Sequence, residues 1–258
     1  MKVTLLQTDI AWADPQTNVK AARQLFHESE NSDLYVLPEM WSTGFATDPR
    51  GIAQEEDGNI GRDWMIATAH SMYPTAVCGS VSIIDEDGNY PNRHYFIDAR
   101  SSQIHYYNKH HLFTYGHEDH YYTPGDKHCY FEYDGVRFML VTCYDLRLPL
   151  WCRYTERSPY DVLIVVANWP ESRQSAWQIL TRARAIENQC FLIGVNRVGS
   201  DPYSRYMGGS CVIDCYGKTL AQCRPYEVQS LTVELDIEEL RRRRNKFRVL
   251  NDADSCIF

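Results

Sequence analysis

Short apolar runs along the chain alternate with stretches in which apolar residues recur every three or four positions. Runs over 3–8, 34–37, 76–84, 136–142, 161–167 and 191–196 predict strands, and 161–167 is apolar enough to be covered on both faces. Residues 95–97 and 104–107 predict neighbouring strands of a meander. Val19, Ala22 and Phe26 recur at helical spacing behind Asp14-Pro15, with Asp14 as N-cap and Pro15 in the first turn. Further helices are predicted over 64–72, briefly over 154–158, and over 173–188. The last has Ser172 as its cap and Ala176, Ile179 or Leu180, Ala183 and Ile186 as its apolar face. Residues 208–214 and 231–235 predict a closing hairpin region. The tail, 237–258, begins as a basic helix carrying Arg241 to Arg244, a solvated face or an interface with an acidic patch on a second subunit. Strands and helices alternate with no linker, repeat or low-complexity segment, which predicts one α/β domain over 1–258.

Three of the predicted strands deliver chemistry at their ends. Residues 34–37 run into Pro38-Glu39, 104–107 into Asn108-Lys109, and 136–142 into Cys143. A carboxylate just after a buried strand sits at the sheet edge where α/β proteins build their sites, although a solvated loop acid has the same local pattern. A lysine at a strand end is usually a surface residue, but Leu112-Phe113 close behind Lys109 predict partly buried surroundings. A thiol between a strand and a turn is held rigidly beside free backbone N–H groups, as a nucleophile facing a carbonyl requires. A buried structural cysteine is the competing reading.

Composition narrows the function. A formal net charge of −8 argues against nucleic acid as a partner, since phosphate binding calls for a basic surface. Nine cysteines, an odd number without CxxC pairs, fit a reducing compartment better than a disulfide framework. The start of the chain has no signal-peptide core, and no apolar stretch approaches the roughly 20 residues of a membrane span. A cytoplasmic location is therefore expected. Histidines at 105, 110, 111, 117 and 120 invite a metal reading, but none has the HExxH spacing of a helical zinc site, and no metal is expected.

The strand-end residues also sit in local phrases. These are Leu37-Pro38-Glu39-Met40 with Thr43-Gly44-Phe45, Tyr107-Asn108-Lys109-His110-His111-Leu112-Phe113, and Cys143-Tyr144-Asp145-Leu146-Arg147. Glu118 ahead of Thr123-Pro124-Gly125 completes the set. Together, over residues 3 to about 253, they resemble the nitrilase (carbon–nitrogen hydrolase) superfamily. Ala167-Asn168-Trp169-Pro170, Arg173, Trp177 and 183–188 look most like its bacterial omega-amidase branch. Leu148-Pro149-Leu150 departs from the Phe-Pro-Glu of many relatives.

The resemblance implies a four-layer α-β-β-α sandwich, paired across helices into a homodimer or higher homo-oligomer. It implies cofactor-free hydrolysis of the terminal amide of 2-oxoglutaramate or 2-oxosuccinamate through a cysteine thioester. Glu39 would then be the general base, Cys143 the nucleophile, and Lys109 with the Tyr144 N–H the oxyanion donors, with Glu118 in support. A remote substrate carboxylate needs a cation, for which Arg173 is the candidate. Arg147 competes, although its place in the cysteine motif predicts that it braces the turn against an acid. Trp41, Phe45 and Trp169 are expected to wall the pocket. Other amide hydrolases of N-carbamoyl amino acids or aliphatic amides, and a nitrilase, are the alternatives within the superfamily. A binding module that keeps only the fold, and a metalloenzyme on the histidine loop, lie outside that chemistry.

Overall fold

The computed structural model of the chain describes residues 1–253. Two sheets form its middle. The first has the order Gln229–Glu234, Lys2–Gln7, Leu34–Val36, Ala76–Ile84, Asn92–Asp98 and Gln103–Asn108, with the short Gln54–Glu55 added on Ala76–Ile84. The second has the order Thr219–Gln222, Cys211–Ile213, Phe191–Asn196, Val162–Ala167, Val136–Thr142 and Cys129–Tyr133. Each sheet is parallel at its centre and antiparallel at its edges. Leu5, for example, faces Val36 in parallel register and Leu231 in antiparallel register.

Side-chain alternation then dictates the layers. One face of each sheet contributes to a shared core, with Leu5, Val36 and Phe96 from the first sheet meeting Phe138, Ile164 and Ile193 from the second. The opposite face of the first sheet, with Leu37, Val77 and Ile97, is covered by the helices Pro15–His27 and Ile60–Ser71. The opposite face of the second, with Val141, Leu163 and Leu192, is covered by Gln174–Glu187. The result is the expected four-layer α-β-β-α sandwich. Gly194 permits close packing in the last layer, because a Cβ there would lie 2.9 Å from the Trp177 ring.

Asp14 caps the first helix as expected, its carboxylate accepting from Thr17 N at 3.0 Å. Several other expectations are corrected. The second helix starts a turn early, at Ile60, because Asn59 caps it by accepting from Arg62 N. Residues 154–158 form no helix. Their one turn closes on Thr155 ahead of Pro159, and the Tyr154 N–H is taken by the Asn188 side chain. Ser172 does not cap. It lies within a 3-10 turn, Glu171–Arg173, from which Gln174–Glu187 continues directly. That helix buries Gln174, Trp177, Thr181, Arg184 and Ala185, and leaves Ile179 and Ile186 exposed. Residues 208–214 and 231–235 are not partners. Cys211–Ile213 joins the second sheet, while Gln229–Glu234 pairs with Lys2–Gln7 in the first.

The terminal helix, Ile237–Lys246, does not carry its arginines merely as a solvated face. Arg241 and Arg244 join Arg137 around the buried Asp161 carboxylate at 2.8–3.1 Å, and Arg243 pairs with Glu239 and Asp214. Residues 254–258, the end of the predicted tail, lie outside the described residues. Among the described residues no helix is long and apolar enough to cross a membrane. Cys78 and Cys152 are buried fillers, as the sequence reading expects.

Candidate active site

The C-terminal ends of the parallel strands in both sheets open onto one cleft of about 900 Å³. Glu39 follows Leu34–Val36, and the backbone turns sharply after it at Met40, whose φ is +43°. The Ser80 hydroxyl and carbonyl hold that turn by pairing with Met40 N and Trp41 N. Lys109 continues Gln103–Asn108, its N–H donating to Asn92 O at 2.9 Å. Glu118 opens a 3-10 turn, Glu118–His120, and is tied down by the Phe113 N–H. The Thr-Pro-Gly turn passes directly beneath the lysine, with Gly125 N donating to Lys109 O. Only glycine fits there, since a Cβ would fall 2.3 Å from Asn108 O.

Cys143 sits at the end of Val136–Thr142 and begins a 3-10 turn, Cys143–Arg147. Its φ of +47° is a left-handed conformation that a non-glycine residue adopts only when the surroundings enforce it. The N–H of Tyr144, in the first turn of that helix, precedes the first internal hydrogen-bond partner and is free to serve a ligand.

The charged groups converge. Lys109 Nζ donates to Glu39 Oε1 at 3.0 Å and to both oxygens of Glu118 at 2.8–3.0 Å, and all three side chains are fully buried. Glu39 also accepts from Asn92 Nδ2 and Asn168 N, each at 2.8 Å. The Cys143 thiol lies beside them, 4.0 Å from Asn168 O. Burial opposes the charge on Lys109, but the Glu118 and Glu39 carboxylates outweigh it and hold the ammonium well above its ordinary pKa. Burial, with the Glu39 charge added, pushes the Cys143 thiol well up, against a smaller pull from Lys109. Burial likewise raises Glu118, which Lys109 partly offsets. The site therefore holds a protonated thiol next to fixed acceptors and a fixed cation.

Beyond this centre the cleft is lined by Phe45, Tyr144, Trp169 and Arg173. Phe45 lies 5.3 Å from Lys109 Nζ, and the Arg173 guanidinium lies 5.2 Å from the rings of both Phe113 and Tyr115. Two expectations are corrected. Trp41 is not a pocket wall: the turn at Met40 sends it to the helix side of the first sheet, 5.2 Å from Trp64 and with Nε1 on Met65 Sδ. Arg147 does not brace the cysteine turn. It lines the cleft over the Trp169 ring at 4.7 Å, and among the described residues it has no carboxylate partner.

Asn92 and Asn168 hold the Glu39 carboxylate, yet neither is among the candidate site residues read from the sequence. Asn168 follows an apolar strand as Cys143 does, and that signal could have marked it. Asn92 begins its strand, and nothing near it in the chain points to Glu39. The cleft also takes Trp12, Tyr203 and Tyr206 from distant segments.

Of the histidines read as metal candidates, His117 and His120 are exposed and line the cleft, while the other three are engaged elsewhere. His110 stacks on Trp151 with centroids 3.7 Å apart, His105 stacks on Phe131, and His111 Nδ1 pairs with Asp145. Among the described residues no cluster of His, Cys, Asp and Glu is arranged to hold a metal ion.

Comparison with known proteins agrees with this architecture. The carbon-nitrogen hydrolase family pattern matches residues 2–245. An omega-amidase YafV from Yersinia enterocolitica is 37% identical over 260 residues, covering 100% of this chain and 98% of its own. A 2-oxoglutaramate amidase from Bacillus subtilis is 36% identical, covering 99% and 98%. Among solved structures, a CN-hydrolase superfamily protein from Xanthomonas campestris, with an arsenic adduct in its active site, is 33% identical. It superposes with a TM-score of 0.93 over 100% of this chain and 98% of that one. Matched from end to end in sequence and in fold, the chain belongs to the carbon–nitrogen hydrolase family.

Proposed function

We propose that the protein is an omega-amidase that hydrolyses the terminal amide of 2-oxoglutaramate or 2-oxosuccinamate. The observation that carries the chemistry is the buried ammonium of Lys109 bridging two carboxylates beside a protonated thiol. The substrate class is supported by the full-length relatives that bear those names.

Cys143 attacks the amide carbonyl while Glu39 takes the thiol proton, so no free thiolate need accumulate. The oxyanion is met by Lys109 Nζ and the Tyr144 N–H, and losing one such donor costs about 3–4 kcal/mol of barrier. Glu39 passes its proton to the departing ammonia. It then deprotonates the water that attacks the thioester, which releases the acid and restores the thiol. Glu118 orients the amide or the water through Lys109. Arg173 takes the substrate carboxylate. Its guanidinium lies 5.2 Å from the rings of Phe113 and Tyr115 and has no carboxylate partner among the described residues, so it can offer two in-plane hydrogen bonds. Arg147, equally without a carboxylate partner among the described residues, is positioned to share that work.

The same reading takes 1–258 as one cytoplasmic, cofactor-independent domain that works as a homodimer. Ile179 and Ile186, two turns apart on one helix, are exposed and give a second copy an apolar face. The deciding experiment is ammonia release from 2-oxoglutaramate, with chelator present, by the wild type and by Cys143→Ala. Release by the wild type and at least a ~10⁴-fold loss in the variant is expected. No release by the wild type would overturn the substrate, and release by the variant would overturn the nucleophile.

A further inference from the structure

We propose that Asp145 is a positioning residue that fixes the Lys109 strand end against the Cys143 turn. The proposal rests on the assignment of Lys109 and Cys143 to the reaction. Asp145 lies two residues past the nucleophile and is fully buried. Its Oδ2 accepts from the Thr142 N–H at 2.9 Å and from the Tyr107 hydroxyl at 2.7 Å. Its Oδ1 accepts from the His111 N–H and from His111 Nδ1, each at 2.9 Å. Thr142 immediately precedes Cys143, while Tyr107 and His111 flank Lys109 at two residues on either side. One carboxylate thus joins the two chain segments that carry the oxyanion cation and the nucleophile.

Only a carboxylate meets this demand, because every neighbour is a donor and a carboxylate is acceptor-only. An asparagine would turn its NH₂ toward one pair or the other. Facing Thr142 and Tyr107, it would leave the Thr142 N–H unpaired and meet a tyrosine oxygen that already accepts two N–H groups. Facing His111, it could be relieved by a change of imidazole tautomer, but the His111 N–H would stay unpaired. Either way one buried backbone N–H beside a reacting residue is orphaned, and one side of the Lys109–Cys143 alignment is released. Tyr107 extends the network outward, its oxygen accepting from His110 N and Trp151 Nε1.

The test is steady-state kinetics of Asp145→Asn on 2-oxoglutaramate, or on propionamide if the wild type fails with the former. Misalignment on the ångström scale should lower kcat by about 10- to 100-fold while KM moves by less than about 3-fold. In a Lys109→Met background the same change should cost less than about 3-fold, because the alignment it protects is already lost. If Asp145→Asn does not fold, Tyr107→Phe removes one of the four donors and should lower kcat by about 3- to 10-fold, again without a KM effect. A folded Asp145→Asn with near-wild-type kcat, a loss carried by KM, or a full additional loss in the Lys109→Met background would overturn the proposal. Loss of Cys143 chemistry is read separately, from Cys143→Ala.

Discussion

Two clusters of buried charge in this molecule are mirror images in sign. At the cleft, a fully buried lysine is held between two fully buried carboxylates. At the opposite, N-terminal ends of the strands of the second sheet, a fully buried carboxylate, Asp161, is held among Arg137, Arg241 and Arg244. Desolvating an ion costs several kcal/mol, so both clusters need a reason to exist. The arginines reach solvent with part of each side chain, at 35, 46 and 12% exposure, which softens that cost. Their bonds also join the terminal helix to the sheet, with Arg244 donating to Tyr160 O and Gln189 O. The cleft cluster has no such relief and fastens no helix. What it holds instead is a thiol, and the difference separates a cluster kept for chemistry from one kept for docking a chain end.

Glu39→Gln should separate the two most widely. Removing the carboxylate proposed as general base is expected to lower amide turnover by about 10²- to 10⁴-fold. The same change should make the thiol easier to ionise. Burial is the first cause of its raised pKa and persists, but the Glu39 charge is the second and is gone. Alkylation of Cys143 by iodoacetamide, followed against pH, should therefore set in at lower pH in the variant than in the wild type. An unchanged or higher onset would show that Glu39 does not hold the proton on sulfur.

Lys109→Met is expected to cost less in turnover, about 10²- to 10³-fold, as one of the proposed oxyanion donors is lost. It should also destabilise the fold by about 3–5 kcal/mol, because two carboxylates are left buried without their cation. The pH dependence has a definite sign. Burial already raises Glu118, and Lys109 is what opposes it, so its removal raises the group further. A carboxyl whose folded pKa lies above its unfolded value binds the proton more tightly when folded, so stability grows as pH falls. Denaturant midpoints for the variant should be higher at pH 5 than at pH 8, and the reverse order would refute the account.

How much of this was legible in the sequence follows from where each signal lies. Glu39, Lys109 and Cys143 each lie one or two residues past a predicted strand, so local pattern and motif together mark them as candidates. Trp41 was misread because the turn at Met40 reverses which side of the sheet the next side chain meets, and no pattern encodes that φ. Ile186, and Ile179 as the alternative to Leu180, are apolar and so fit the predicted core face, yet both are exposed. The buried face of that helix in fact carries Thr181, whose hydroxyl donates to Trp177 O, and Arg184, which donates to Leu146 O. The arginine cluster reads as a solvated face or a subunit interface because its partner, Asp161, lies 80 residues upstream. Local patterns report strand ends well; pairings made only by the closed fold leave no trace in them.

Asp161→Asn should touch activity least, with less than about a 2-fold change in kcat at temperatures below unfolding, as for substitutions remote from the chemistry. Its effect belongs to stability, a loss of about 1–3 kcal/mol, reduced from the fully buried case because the arginines are partly solvated. For a chain of this size that corresponds to a Tm lower by roughly 3–10 °C. Burial would raise the Asp161 carboxyl, but hydrogen bonds and charge from Arg137, with the charge of Arg244, outweigh it and hold the group below its ordinary 3.8. A carboxyl depressed by folding stabilises the protein above its unfolded value and loses that contribution as pH falls through the folded one. The stability gap between wild type and variant should therefore be full near neutrality and close progressively below about pH 3.8. A gap that persists in acid would mean that packing of the terminal helix, and not the charge on Asp161, is what the substitution removes.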